Sequence, residues 1–247
     1  MVGLNRDMSP SSAYTNRTGR APGRTLRALG LVLPGIARVR SQSEPYADAW
    51  HERTHRAAVE AGRRWVVLGD SMSQAIGATG PERGWVDQLL GRLGPLGADL
   101  RVVNLSATGA RVPDVIEQQL PALAALPPAD STVADLVTVM VGSNDLFGRA
   151  RHRDHLPHAM ADLVRRLPRG SIVTTLPQPR RAARSANAVL DEAARTGHLR
   201  LVDLRTDGPD SWRGRLAADF FHPNEAGYAA ITDAFEPVVR GALLPDP

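Results

Sequence analysis

Ser71, Gly109, Asn144, Asp219 and His222 are the residue types that acyl transfer at a serine needs. A serine hydroxyl is a weak nucleophile until a base takes its proton, and His222 suits that task because an imidazole titrates near neutrality. A carboxylate must hold the imidazole in one tautomer and stabilise its charged form; Asp219, three residues earlier, is placed to do so. The developing alkoxide needs donors, and the candidates are the N–H of Ser71, the N–H of Gly109 and the side-chain amide of Asn144. Each residue alone has a plainer reading: a turn glycine, a strand-end cap, a helix-entry aspartate, a surface histidine before Pro223. Together they point to chemistry, because three of them follow apolar runs that read as strands.

The first run is Trp65-Val-Val-Leu-Gly-Asp-Ser71, a buried strand delivering a hydroxyl to a loop. Gly69 permits a sharp turn at its end, and Asp70 and Ser71 are good N-cap types for a helix beginning there. Arg101 to Asn104 reads as a second strand, followed by the loop Ser106-Ala-Thr-Gly109. Leu136 to Val141 is a β-branched third strand ending in Gly142-Ser-Asn-Asp145. Strands are also expected over Ser171 to Leu176 and Leu199 to Leu204. Between and after them, helices are expected over Trp85 to Leu93, Val112 to Leu120, His155 to Leu167, Ala183 to Thr196 and Asn224 to Leu243. Strands alternating with helices at this spacing give an α/β domain, a parallel sheet covered on both faces in three layers. Groups at the carboxyl ends of such strands gather at the topological switch point, which is where the candidate residues lie.

A chain of 247 residues holds one domain of about 200 residues plus an extension. There is no cysteine, so disulfides, thiolate metal sites and cysteine nucleophiles are excluded. All 30 basic residues are arginine, and seven of them fall in residues 1–40 against one Asp, whereas 41–247 carry 23 Arg against 25 acids. A body this close to neutral argues against a nucleic-acid partner, which requires a dense basic stripe. Residues 1–40 read as a basic flexible arm, mobile over 1–24, with solvated disorder favoured over contact with an anionic membrane. The apolar stretch Ala28 to Ala37 is too short to span a bilayer and lacks a signal-cleavage pattern, which gives a cytoplasmic expectation. Glu44 to Arg64 reads as a helix with Tyr46, Trp50, Thr54 and Ala57 on one face. The chain thus divides into the arm 1–40, an N-terminal helical region 41–63 packing on the domain, and the domain itself, 64–247.

Three further patterns are set aside. His51-Glu-Arg-Thr-His55 matches a zinc-protease pattern, but Ala58 and Ala61 stand where its longer form would continue, so no metal is expected there. His152, His155 and His158 read as a solvated loop leading into a helix, because Pro157 breaks the register. Arg180, Arg181 and Arg184 could receive an anionic substrate, though a hydrated helix start is the commoner meaning of such a run.

Four blocks in order, Val67-Leu-Gly-Asp-Ser71, Val103-Asn-Leu-Ser-Ala-Thr-Gly109, Val141-Gly-Ser-Asn-Asp145 and Asp219-Phe-Phe-His-Pro-Asn-Glu-Ala-Gly227, resemble those of the SGNH hydrolases of the GDSL esterase/lipase superfamily. The resemblance covers about residues 64 to 243. It implies a five-stranded sheet of flavodoxin-like order 2-1-3-4-5, with Ser71 as nucleophile, His222 as base, Asp219 as its partner, and Ser71, Gly109 and Asn144 forming the oxyanion hole. It further implies hydrolysis of an O-acyl or O-acetyl ester of a small molecule, glycan or lipid, with neither metal nor organic cofactor. Many relatives carry glycine four residues after the nucleophile, where this chain has Ala75, which leaves the loop shape beside the acyl pocket open. The absence of Gly-x-Ser-x-Gly separates the chain from the α/β-hydrolases. Two other readings use the same residues: an acyltransferase in which an alcohol intercepts the acyl-enzyme, and a non-catalytic binding domain.

Overall fold

Trp65, Val66, Val67 and Leu68 are all fully buried, which successive residues of a strand achieve only when both faces of the sheet are covered. In the computed structural model this is so; it describes residues 14–20, 34–128 and 134–244. Five parallel strands, β1 (Arg63–Gly69), β2 (Leu100–Asn104), β3 (Leu136–Met140), β4 (Ile172–Thr174) and β5 (Arg200–Val202), lie in the order β2-β1-β3-β4-β5. The expected sheet and its order are therefore present. The order in which successive strands are added to the sheet switches sides between β1 and β3, which pair through Gly69 and Met140 at their carboxyl ends.

Helices α1 (Pro34–Arg40) and α2 (Ser43–Val59) precede β1. The remainder are α3 (Trp85–Leu93), α4 (residues 112–124), the short α5 (Ser143–Leu146), α6 (Ala150–Arg166), α7 (Arg181–Arg195) and α8 (Glu225–Leu243). Period-two alternation splits the core: Val66 and Leu68 face α4, α6 and α7, whereas Trp65 and Val67 face α3 and α8. On the second side Trp85 of α3 stacks on Phe235 of α8, ring centroids 4.0 Å apart. The helix α2 covers the β2 edge, burying Tyr46, Trp50, Thr54 and Ala57 as its spacing predicts, and it stops at Val59, short of the expected Arg64.

Three expectations need correction. The arm is not unstructured throughout: residues 14–20 pack on the domain and Pro34–Arg40 is helical. Pro157 does not break the register either; α6 starts at Ala150 and runs through it, so His152, His155 and His158 belong to a helix. Leu156, Ala159, Met160 and Leu163 are buried at helical spacing, and that packing outweighs the one backbone bond proline forfeits. Finally, α4 is not a regular helix: Val115–Gln119 forms a π turn.

Candidate active site

The Ser71 loop is fixed from below by hydrogen bonds that the sheet and α4 supply. Asp70 donates its N–H to the Met140 carbonyl at 3.2 Å, continuing the β1–β3 ladder. The π turn brings the Gln119 amide onto Gly69, where Oε1 accepts the Gly69 N–H and Nε2 donates to the Gly69 carbonyl, both at 2.8 Å. Asp70 then caps a 3-10 turn, Ser71–Gln74, by accepting the Met72 N–H at 3.0 Å. Ala75, at φ 66°, holds the left-handed conformation that glycine would favour. Its methyl group is accommodated by Gly84, where a Cβ would come within 2.5 Å of the Ala75 Cβ. The loop thus keeps its turn despite the alanine.

Asp219 and His222 come from a tight hairpin before α8. Ala217 and His222 pair through an N–H to carbonyl bond of 2.8 Å, Asn224 donates to Arg215 at 2.9 Å, and Asn224 Oδ1 caps α8 by accepting the Gly227 N–H at 3.0 Å. Gly77 permits this hairpin to close on the Ser71 loop: a Cβ there would meet the Pro223 carbonyl at 2.4 Å and the His222 Cβ at 2.9 Å. Asp219 Oδ1 accepts the N–H groups of Phe221 (3.1 Å) and His222 (3.0 Å), while its Oδ2 pairs with His222 Nδ1 at 2.5 Å. Across the ring, His222 Nε2 lies 2.9 Å from Ser71 Oγ. Burial alone would raise the Asp219 pKa, but the bond to His222, its charge and the two backbone donors outweigh it and hold this carboxyl below its ordinary value. Asp219 therefore stays ionised beside the imidazole.

Two more strand ends meet at the same edge. Asn144, in α5, donates its side-chain amide to the Ala110 carbonyl at 2.9 Å, and Asp145 Oδ2 accepts the Val112 N–H at 3.0 Å. These bonds tie the loop after β3 to the loop after β2, which contains Gly109 at φ 79°. The latter loop is set by Asn104, whose Nδ2 donates to the Ser73 carbonyl at 2.7 Å and whose Oδ1 accepts the Ser106 N–H at 2.9 Å. Ser71, Asp219 and His222 are thus joined in one hydrogen-bonded relay, and the Gly109 and Asn144 loops are bonded to each other beside it.

Sequence reasoning missed the segment 14–20, which straps the Gly109 loop from outside. Buried Asn16 donates to the carbonyls of Asn104 (2.7 Å) and Ser106 (3.0 Å), and its own backbone carbonyl accepts from Gln74 of the Ser71–Gln74 turn at 3.0 Å. Arg20 forks onto Asp114 and donates to the Gly109 carbonyl at 2.9 Å. Asn16-Arg-Thr18 reads only as a glycosylation pattern in sequence, because its partners lie about 90 residues away and nothing local marks them. If Arg20 positions Gly109, then Arg20→Ala lowers kcat on an aryl ester about tenfold with little change in KM, because small misplacements at reacting groups slow the reaction more than they weaken binding. The exposed Arg165→Ala is the control; equal activity of the two variants would show that the strap has no such effect.

Asp70 is fully buried, and its Oδ2 has no partner among the described residues. Burial pushes its pKa up to about 7 against the Met72 hydrogen bond, with the Asp145 carboxyl adding to the push, and burial likewise raises Asp145 to about 6. In the unfolded chain an aspartate loses its proton near pH ~4, whereas folded Asp70 keeps it to about 7. The folded state binds the extra proton in that window, so stability falls as pH rises from about 4 to about 7, by about 1.4 kcal/mol per unit. Asp70→Asn removes this slope, leaving the smaller window of Asp145 below about 6. Melting temperatures at pH 5, 7 and 8 test it: parallel curves for the two proteins would contradict the assignment.

Residues 67–230 match the GDSL-like lipase/acylhydrolase family, a span that contains the relay and both flanking loops. Solved structures similar to this chain include TesA, at 26% identity over 74% of this chain and all of that one, TM-score 0.56. A lipase/acylhydrolase from Enterococcus faecalis shares 19% identity over 75% of this chain and 99% of its own, TM-score 0.58. The acetylxylan esterase Axe2 from Geobacillus stearothermophilus, solved as a catalytic mutant, shares 21% over 77% of this chain and all of its own, TM-score 0.54. No curated protein sequence matches significantly. The last two share the fold at identities too low to carry more, but the family match spans all four sequence blocks in order. The chain therefore belongs to the GDSL-like lipase/acylhydrolase family of SGNH hydrolases.

Proposed function

We propose that the protein is a serine ester hydrolase that cleaves an O-acyl or O-acetyl ester of a small molecule, glycan or lipid through an acyl-enzyme. The observation that supports this most is the Asp219–His222–Ser71 relay, whose two outer members come from loops separated by some 150 residues of chain. His222 Nε2 takes the Ser71 proton as Oγ attacks the ester carbon, and Asp219 stabilises the imidazolium that results. The N–H groups of Ser71 and Gly109 and the free hydrogen of the Asn144 amide receive the oxyanion. When the tetrahedral intermediate collapses, the imidazolium gives its proton to the departing alkoxide. Water then repeats the sequence on the acyl-enzyme and regenerates Ser71. Each proton has an acceptor within the chain, so these steps call for no cofactor.

Incubation with 4-nitrophenyl acetate, together with intact-mass detection of a fluorophosphonate adduct at neutral pH, tests the reading. Turnover with release of free acetic acid, and one adduct per chain, are expected. Folded protein that takes no adduct and turns over no ester would be a binding domain on this fold. Added glycerol extends the assay: acetylglycerol in place of acid would make the protein an acyltransferase.

A further inference from the structure

Three of the four phenylalanines of this chain are exposed at the candidate active site: Phe147 (45%), Phe220 (81%) and Phe221 (42%). The fourth, Phe235, is buried in the core. Exposure of one apolar residue needs no explanation, but a cluster beside a reactive group does. The Phe221 ring packs edge to face against the His222 imidazole at 5.0 Å and against Phe147 at 5.6 Å, forming a ledge that starts at the imidazole and leads away from it. At its far end the Arg180 guanidinium sits over the Phe147 ring, 4.6 Å from its centroid. Among the described residues the Arg180 guanidinium pairs with no carboxylate, and its one hydrogen-bond contact is a long 3.5 Å approach to the Leu146 carbonyl. Phe220, at φ 56°, holds a conformation a bulky residue rarely adopts, within the turn that carries Phe221 and His222.

We infer that Phe221, Phe147 and Arg180 bind the alcohol part of the substrate and select an aromatic or flat apolar alcohol that carries an anionic group. The inference rests on the ester-hydrolase reading above and names the substrate class for that site. It follows from which side of the reaction the ledge serves. The group that protonates the departing alkoxide must touch it, so the alcohol lies on the imidazole side of the scissile bond and the acyl chain lies away from it. A ring packed on that imidazole therefore meets the alcohol. Two half-exposed rings in mutual edge contact offer a second aromatic group a favourable offset or edge-to-face seat. The guanidinium beyond them supplies a charge that a carboxylate, sulfate or phosphate on that ring would satisfy. An anionic bilayer would also favour arginine beside apolar rings, but Phe147 and Phe221 are each more than half covered, and they are spent on one another and on the imidazole.

The test compares 4-acetoxybenzoate, 4-acetoxybenzamide and ethyl acetate as substrates of the wild type, Phe147→Ala and Arg180→Gln. Phe147→Ala is expected to lower the ratio of kcat/KM for the aryl esters over ethyl acetate about tenfold, and Arg180→Gln to lower the benzoate over benzamide ratio about tenfold. Calorimetric titration with the alcohol product, 4-hydroxybenzoate, needs no turnover, and each substitution is expected to weaken it at least about fivefold. Ratios within twofold of the wild type in both variants, or a wild type that does not bind 4-hydroxybenzoate, would overturn the inference. So would unchanged ratios accompanied by loss of binding to phosphatidylglycerol vesicles, which would make the ledge a membrane contact. Failure of the hydrolase reading is separate: no fluorophosphonate adduct forms, while the 4-hydroxybenzoate titration still tests the ledge.

Discussion

Ser71→Ala is expected to reduce turnover of an aryl ester by at least about 10⁴-fold and to eliminate the fluorophosphonate adduct, with the melting temperature little changed. Among the described residues the Ser71 hydroxyl has one polar partner, His222 Nε2 at 2.9 Å. Asp70 caps the turn through the Met72 N–H, not through the hydroxyl, and the Ser71 carbonyl that accepts from Ile76 at 3.1 Å is untouched by the substitution. Alanine thus removes the proposed nucleophile and one hydrogen bond while leaving the loop its own supports. The activity left would be what oxyanion donors and substrate binding give to attack by water, typically about 10³ to 10⁴ over the uncatalysed rate. Two measurements make the result interpretable: adduct mass, which reads the activated hydroxyl, and steady-state turnover, which reads the whole cycle. Retained turnover in a protein that no longer takes the adduct would remove Ser71 from the reaction.

How far such a site is legible from sequence depends on how local its determinants are. Ser71, Asn144, Asp219 and His222 stand just past a strand end or just before a helix, where the apolar run or the cap that positions them is only a few residues away. That proximity is why the meeting of Ser71 with His222 and Asp219 could be anticipated from β1 and the entry to α8. The supports of the same loops are not local. Gln119 reaches Gly69 only because α4 contains a π turn, and nothing in Val-Ile-Glu-Gln-Gln distinguishes that turn from a regular helix. Asn16 and Arg20 lie in a stretch whose composition reads as disorder, yet their amide and guanidinium groups satisfy carbonyls of the Gly109 loop. Phe221 was visible within the block carrying His222, but its exposure depends on a left-handed residue at Phe220 that sequence does not favour. Pro157 shows the opposite failure: a strong local signal was overridden by buried Leu156 and Met160.

Asp219→Asn is expected to lower kcat on an aryl ester by about 10³ to 10⁴-fold with the fold intact, the outcome of a wrong imidazole tautomer. The direction follows from how both carboxylate oxygens are used. Oδ1 accepts two backbone N–H groups, from Phe221 and His222, so in the variant this position must be taken by the asparagine oxygen. An amide nitrogen there would face two donors with nothing to accept. The amide nitrogen is therefore forced to the Oδ2 position, where it points a hydrogen at His222 Nδ1. Nδ1 can accept it only by giving up its own proton, which places the ring proton on Nε2, facing Ser71 Oγ. The imidazole then donates to the hydroxyl it should deprotonate, and the fluorophosphonate adduct forms correspondingly slowly. Asp219→Ala leaves the ring free to choose its tautomer and is expected to retain more activity than Asp219→Asn in alkaline solution, despite removing more atoms. NMR of the ring nitrogens reads the tautomer directly. An Asp219→Asn protein with Nδ1 still protonated, or with turnover within tenfold of the wild type, would show that Asp219 does not orient His222.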